Sequence, residues 1–262
     1  MPESTFPLGN TREAVLGAAI NAVSYAEAVD CIFRWAQRQE SRTVCVCGVH
    51  SVITALRNLS HSDAIRFADL VTPDGCPIAW MLRRKGHGDQ ERMCGPDLMW
   101  TCCRRASELG TKMFLYGGAP ATLGRLEQRL RREFPGINIV GTYSPPFRRL
   151  TAEEDAAVVD MINDSGARIV WVGLGCPKQE AWMHAHRGRV TAVMLGVGAA
   201  FDFHSGVARR APLWMQRNGL EWLHRLSQDP RRLAMRYLMA NSMFVVAGLL
   251  DSLFPQHQVD DR

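Results

Sequence analysis

Short, nearly continuous apolar runs alternate with longer amphipathic segments along roughly the first 200 residues of the chain. The apolar runs predict strands over residues 43–49, 112–118, 138–143, 168–175 and 192–201. Strands that are covered on both faces have this continuous apolar character. Amphipathic segments at 120–134 and 151–165 predict helices between them, the second opening with Thr151 and Glu154 at capping-box spacing. The alternation predicts βαβ units, a parallel sheet and a doubly wound α/β fold.

The alternation stops after about residue 205, where the pattern becomes helical. Segments 211–226 and 229–254 predict helices, with Asp229 as the N-cap of the second and Pro230 at its first helical position. We therefore divide the chain into an α/β core at 1–205 and a helical appendage at 206–262. The mixture of apolar, aromatic and arginine side chains favours an appendage that lies on an anionic membrane. A helical hairpin packed on the core is the alternative.

Composition narrows the class of protein. The 262 residues are 47% hydrophobic and 22% charged, which excludes a disordered chain. The eight cysteines show no CxxC and no metal-ligand spacing, so we expect reduced thiols in a cytoplasmic protein. The net charge of +5 is concentrated in the appendage, where seven arginines lie between residues 209 and 236. This cluster predicts an anionic partner, such as a phosphate or a membrane surface; a solvated helix face is the plain alternative.

Glycines stand at the ends of several predicted strands. In a parallel sheet these ends meet at one edge, where ligands bind. Glycine there allows a left-handed backbone and close approach of a phosphate, although an ordinary βα turn explains any single one. The positions are Gly117, Gly118, Gly173, Gly175, Gly196 and Gly198.

Two strand-to-helix junctions carry polar side chains. In "LVTPDGCPIAW" Asp74 follows an apolar run, where it can act as a general base or simply form a Pro-Asp-Gly turn. In "WVGLGCPKQEAW" Lys178 and Gln179 follow another, and the amide can hydrogen-bond sugar hydroxyls or a diphosphate, while helix capping is the alternative. The glycine-rich stretches do not complete GxGxxG, and the chain has no Asp-x-Asp motif for a nucleotide-bound metal.

Ordered blocks from about residue 43 to 245 resemble the WecG/TagA/CpsF glycosyltransferases (glycosyltransferase family 26). They include "TPDGCPIAW", "VGLGCPKQEAWM" and "APLWMQRNGLEWLHRL". The resemblance implies a Rossmann-like parallel-sheet core with a C-terminal α-helical appendage. It also implies an inverting enzyme that moves a hexose or N-acetylhexosamine-type sugar from a UDP-sugar to a polyprenyl-diphosphate-linked saccharide. Such reactions build exopolysaccharide, capsule or cell-wall polymers at the inner face of the bacterial membrane.

The resemblance also implies roles for matching residues. Asp74 would be the base, Gln179 and Arg92 would lie near the donor, and Asp202 would lie near the nucleoside. Arginines of the appendage would offset the charge on departing UDP, so that no metal or other cofactor is expected; they are Arg210, Arg217, Arg225 and Arg232. The predicted binding set is completed by Thr72, Gly117, Gly118, Gly173, Gly175, Lys178 and Gly198.

One departure concerns the acceptor side. Gly48 stands where the family commonly has asparagine, with His50 and Ser51 as candidates to replace it. The expected partners are the UDP-sugar, the lipid-linked acceptor and an anionic membrane, without nucleic acid. Two other functions remain open on the residues alone: a nicotinamide-dependent oxidoreductase, suggested by the glycine-ended strands, and a non-catalytic binder of membrane or nucleic acid.

Overall fold

The computed structural model describes residues 11–253, apart from the side chains of residues 232, 236 and 249–253 in its last helix. Its centre is a sheet of six parallel strands in the order β4-β3-β8-β7-β5-β6. The strands are β3 (Arg42–Cys47), β4 (Leu70–Pro73), β5 (Lys112–Gly117), β6 (Asn138–Tyr143), β7 (Ile169–Gly173) and β8 (Val193–Gly196). The predicted Rossmann-like α/β core is therefore confirmed.

The five predicted strands are all present, but four of them end earlier than expected, β5 by one residue at Gly117. Strand β3 ends at Cys47, β7 at Gly173 and β8 at Gly196. Glycines follow each end, and Gly175 and Gly198 have φ of 77° and 52°, in the left-handed region that breaks an extended strand. The hydrophobic run continues past these breaks because α2 begins with Val49 after β3, Leu174 lies in the loop after β7, and Val197 leads into α9 after β8. Apolar character alone therefore placed the boundaries too late.

Two short strands lie outside the sheet and were not predicted. Strands β1 (Arg12–Val15) and β2 (Ala18–Asn21) form an antiparallel hairpin. Its turn uses Leu16 and Gly17, which have φ of 51° and 84°. Positive φ at both turn residues matches the twist of a two-residue hairpin. The hairpin joins the core because the Asn21 side chain accepts a hydrogen bond from the backbone N–H of Val71 at 2.9 Å.

Helices cover both faces of the sheet. The helices of one face are α1 (Tyr25–Gln37), α5 (Gly95–Leu109), α6 (Pro120–Glu133) and α9 (Ala200–His204). Those of the other are α2 (Val49–Ala55), α3 (Leu59–Arg66), α4 (Cys76–Arg84), α7 (Ala152–Asp164) and α8 (Lys178–His186). Successive strand side chains feed the two layers in turn, as Trp171 packs on one side and Val172 on the other. This double cover explains why the strands are apolar throughout.

The appendage consists of α10 (Leu213–Arg217), α11 (Glu221–Gln228) and α12 (Pro230–Leu253). The single helix predicted at 211–226 is wrong, because Gly219 has φ of 71° and breaks it in two. Helix α12 packs on α2, and its Leu233, Ala240 and Phe244 are buried. Within the described residues we find no helix whose length and hydrophobicity would suffice to cross a bilayer.

The predicted capping box of α7 is confirmed and makes a stability prediction. The Thr151 hydroxyl accepts a hydrogen bond from the Glu154 N–H at 3.2 Å, and the Glu154 carboxylate accepts one from the Thr151 N–H at 2.9 Å. Thr151→Ala should lower the free energy of unfolding by about 1 kcal/mol, because an orphan helix N–H loses its partner. Urea denaturation measures this change. The exposed Thr101→Ala in α5 is the control, and equal stability of both variants would contradict the prediction.

Candidate active site

The carboxyl ends of the parallel strands open into a cavity of about 1770 Å³, which the core and the appendage enclose together. Asp74, after β4, and Gln179, at the start of α8, both line it. Parallel strands end at one edge, which is how residues far apart in sequence meet here. From the appendage, Glu221, Trp222 and Arg225 line the same cavity.

Most of the predicted site residues line this cavity, but some do not. Those on its wall are Asp74, Arg92, Gly118, Gly173, Gly175, Lys178, Gln179, Gly198, Asp202 and Arg225. Among the described side chains, four of the predicted set lie elsewhere: Thr72, Gly117, Arg210 and Arg217. The side chain of Arg232 lies outside the described residues.

Three of the predicted residues that do not line the cavity lie either inside the fold or on the protein surface. Thr72 is completely buried within β4. Gly117 is pressed against the backbone of Gly173, where an added Cβ would lie 2.7 Å from the carbonyl carbon. Arg217 is exposed at the end of α10. A glycine at a strand end can thus serve sheet packing, which sequence alone does not separate from ligand binding.

Backbone contacts hold Asp74 at the edge of the cavity. The backbone N–H of Asp74 donates a hydrogen bond to the Cys47 carbonyl at 2.9 Å, and Gly75 follows with φ of 83°. Burial, and then the negative charge of Glu221, raise the pKa of Asp74 from its ordinary 3.8 to about 6, while Arg225 and Arg92 oppose the rise. A Cβ at Gly48 would lie 3.3 Å from Oδ2 of Asp74, so glycine leaves room beside this carboxylate.

The Gln179 amide is fixed at both ends. Its Oε1 accepts a hydrogen bond from the Gly198 N–H at 2.9 Å, and its Nε2 donates to Oε1 of Glu180 at 2.9 Å. The lack of a side chain at Gly196 leaves room for the amide, since a Cβ added there would lie 3.1 Å from Nε2 of Gln179. An amide has two N–H groups, so one remains for a ligand. Glu180, which orients the amide, was missed because its charge in the sequence indicated only a helix start.

Charged residues of the core and the appendage form one network beside Asp74. Arg210 donates two hydrogen bonds to the Asp97 carboxylate, while Arg92 lies 3.3 Å from Oε2 of Glu221. The Nε of Arg210 lies 3.6 Å from Oε1 of the same Glu221. Burial alone would raise the pKa of Asp97, but hydrogen bonds from Arg210 and Cys94 bring it below its ordinary value. Arg210 therefore holds the appendage to the core rather than facing the cavity.

A stack of aromatic rings extends the cavity wall toward the loop before α7. The Tyr116 ring lies 4.3 Å from the Trp182 ring, centroid to centroid, and Trp182 lies 4.1 Å from His186. Nε2 of His186 lies 2.9 Å from Oδ1 of Asp155. Tyr116, Trp182 and Asp155 line the cavity. Flat aromatic faces bind apolar faces of ligands, and this part of the site has no sequence signature that would have revealed it.

Comparison with known families places the chain beside a family of transferases. The model of the Glycosyl transferase WecG/TagA/CpsF family matches residues 13–258, which is nearly the whole chain.

The raised pKa of Asp74 predicts a cost in stability. An acid whose folded-state pKa exceeds its unfolded value destabilises the folded chain above the folded pKa, and the cost is absent below the unfolded one. Asp74→Asn should therefore raise the free energy of unfolding at pH 7.5 by about 1–2 kcal/mol, less than the full shift would give because cavity water screens the charge. At pH 4 it should have little effect.

Urea denaturation of the variant at both pH values measures this effect. The exposed Asp89→Asn serves as the control for loss of a carboxylate. A variant that is equally destabilised at both pH values would contradict the predicted cost.

Proposed function

The chain belongs to the WecG/TagA/CpsF family of glycosyl transferases, and from this premise we propose which transfer it catalyses. The donor is a UDP-sugar carrying a hexose or N-acetylhexosamine-type sugar. The acceptor is a polyprenyl-diphosphate-linked saccharide, and the product is an intermediate of exopolysaccharide, capsule or cell-wall polymer synthesis. Membership of a transferase family removes the ground for the nicotinamide-dependent alternative.

The observation that carries the proposal is the meeting of Asp74 and Gln179 on one cavity that arginines of core and appendage also line. With a pKa of about 6, Asp74 is ionised at neutral pH and still a useful base. It takes the proton of the acceptor hydroxyl while that oxygen attacks the anomeric carbon. The bond from that carbon to the UDP oxygen breaks on the opposite side, so that the configuration inverts.

Arginine side chains would stabilise the leaving diphosphate. Arg92 and Arg225 line the cavity on the same side as Asp74, since both lower the pKa of that carboxyl group. Fixed cations placed where negative charge develops stabilise a transition state in a site shielded from water. Because the sequence has no Asp-x-Asp motif, we assign charge neutralisation to these arginines and propose transfer without a divalent ion.

The remaining roles follow from position. The free N–H of Gln179 would bind the donor sugar, with Gly118, Gly175 and Lys178 beside the phosphates. Asp202 would bind the nucleoside. Arg210 would act indirectly, by holding α11 against the core through Asp97. Gly48 leaves the acceptor side open next to Asp74, where His50 and Ser51 also line the cavity.

The appendage would attach the enzyme to the inner face of the cell membrane. One side of α12 is buried on the core, so the predicted hairpin packing and the membrane role use different faces of the same helix. Apolar side chains point outward from α10 to α12 among arginines, as in peripheral membrane proteins. The exposed large apolar residues described in these helices are Leu213, Trp214, Trp222, Leu223, Met235, Leu238, Met239, Val245 and Val246.

Asp74→Asn tests the base. Turnover should fall by about a hundredfold or more, while the affinity for UDP changes less than about twofold, because a proton acceptor is removed and little else. The measurement is transfer from a panel of radiolabelled UDP-sugars to a lipid-diphosphate monosaccharide, with UDP affinity by calorimetry. Asp89→Asn, outside the cavity, should keep wild-type turnover. Full activity of Asp74→Asn would contradict the proposed base and would indicate that Asp74 only forms the turn after β4.

The charge network predicts the pH profile. The logarithm of kcat/KM should rise with pH and level off near pH 6, where Asp74 becomes ionised. Glu221→Gln should move this limb to lower pH, since a repelling charge is removed, and Arg92→Gln should move it to higher pH. Profiles for the three proteins give the test, and shifts in the same direction for both variants would contradict it.

A further inference from the structure

A second reactive group lies on the wall of the same cavity, close to Gln179 in sequence. Cys176 is half-buried and lines the cavity, and its Sγ lies 3.8 Å from Nε2 of His61. The His61 ring is only 1% exposed. Its position is fixed at the start of α3, where its N–H donates to the side chain of Asn58 at 3.1 Å. No role in the proposed transfer uses this histidine.

The imidazole of His61 stands between the thiol and a carboxylate. Its Nδ1 lies 3.9 Å from Oε2 of Glu180, and both of these side chains are 1% exposed. One atom from each of Cys176, His61 and Glu180 lies within 4.8 Å of the others. An activated thiol requires three groups: the thiol as nucleophile, a base that takes its proton, and a carboxylate that stabilises the protonated base. Burial lowers the pKa of His61 and so keeps the ring neutral in the resting chain, while the carboxyl group of Glu180 would offset the charge that the ring gains on taking a proton.

The neighbouring groups leave Cys176 as the residue that this base can activate. Ser51 Oγ lies 2.9 Å from the same Nε2, but a hydroxyl gives up its proton far less readily than a thiol. Cys45 and Cys47 are buried beneath, and burial raises the pKa of both thiols. Cys76 is also half-buried and on the cavity wall, yet among the described contacts only Cys176 meets a histidine.

We propose that Cys176 is a modification site, a thiol activated by His61 and Glu180 that reacts with small disulfides and soft electrophiles entering the cavity. The thiol proton moves to Nε2 of His61, and the thiolate attacks one sulfur of the incoming disulfide. A mixed disulfide forms as the original disulfide bond breaks. The released half leaves as a thiolate and takes up a proton, so the small disulfide is the oxidant and is reduced to a thiol.

Modification would also close the donor site, a consequence that rests on the proposed function. A group attached at Cys176 lies in the cavity three positions before Gln179 and beside Ser51, where it competes for space with a nucleotide sugar. A reducing agent restores the thiol, so the block is reversible. The chain would thereby sense small oxidised thiols directly at its active site.

The test is the rate of labelling of each cysteine by an aromatic disulfide reagent, resolved by peptide mapping of the full chain. Cys176 should react about tenfold or more faster than Cys76 at pH 7, and the ratio should fall toward one at pH 9.5, where hydroxide can replace His61 as the base. His61→Gln should bring the two rates together at pH 7. Cys76→Ser is the matched control and should leave the fast phase, which Cys176→Ser removes.

Several results would overturn the thiol proposal. One is equal rates for Cys176 and Cys76 in the wild type, a measurement that needs no variant and so does not depend on how His61→Gln folds. Another is a ratio that persists at pH 9.5, which would indicate access rather than activation. Labelling that begins only after a chelator releases bound zinc would indicate a metal site at these three residues.

A separate experiment addresses the block. UDP binding should be lost in the labelled chain and recovered after reduction. If the labelled chain binds UDP as well as the unlabelled chain does, the block of the donor site is refuted, while the activation of Cys176 is not. An unlabelled chain that binds no UDP would instead refute the proposed donor, with the labelling rates unaffected.

Discussion

The candidate active-site cavity depends on one constraint, that all six strands of the sheet run in the same direction. Each strand therefore delivers its following residues to one edge, and the loops after β4, β7 and β8 meet there. Gln179 joins two of these loops, because its amide accepts from Gly198 after β8 and donates to Glu180 on α8. Small residues at the strand ends let this side chain lie close to the sheet. If one of these strands ran the other way, the loop that follows it would lie at the opposite edge of the sheet.

Charge in this cavity is balanced by pairs that span the core and the appendage. Arg210 with Asp97, and Arg92 with Glu221, each join a cation to a carboxylate across the boundary. The free chain thus holds its arginines in position, which would lower the reorganisation required when the proposed diphosphate donor binds. Burial is the main reason for the raised pKa of Asp74, and three members of these pairs, Glu221, Arg92 and Asp97, adjust it further. The charges that hold the appendage on the core therefore also affect the pKa of Asp74.

Sequence pattern predicted the α/β core, the main strands and the capping box of α7, since these depend on local periodicity and local hydrogen bonds. It could not predict what depends on three-dimensional packing. Gly117 and Gly173 resemble ligand-binding glycines but touch each other, and Thr72 points into the interior. Glu221, Trp182 and His61 carried no signal, because their partners are distant in sequence. The early ends of β7 and β8 were hidden by Leu174 and Val197, apolar residues of the loops that follow these strands.

The place of Glu221 has a consequence for how the carboxyl group of Asp74 could be tuned. This carboxylate belongs to α11, yet it contributes to the raised pKa of Asp74 on the core. Arg225 lies on the same short helix and lowers that pKa. Two charges of opposite effect therefore sit four residues apart on one segment outside the sheet. Substitutions confined to α11 could adjust the acidity of Asp74 in either direction while the strands and loops of the core stay unchanged.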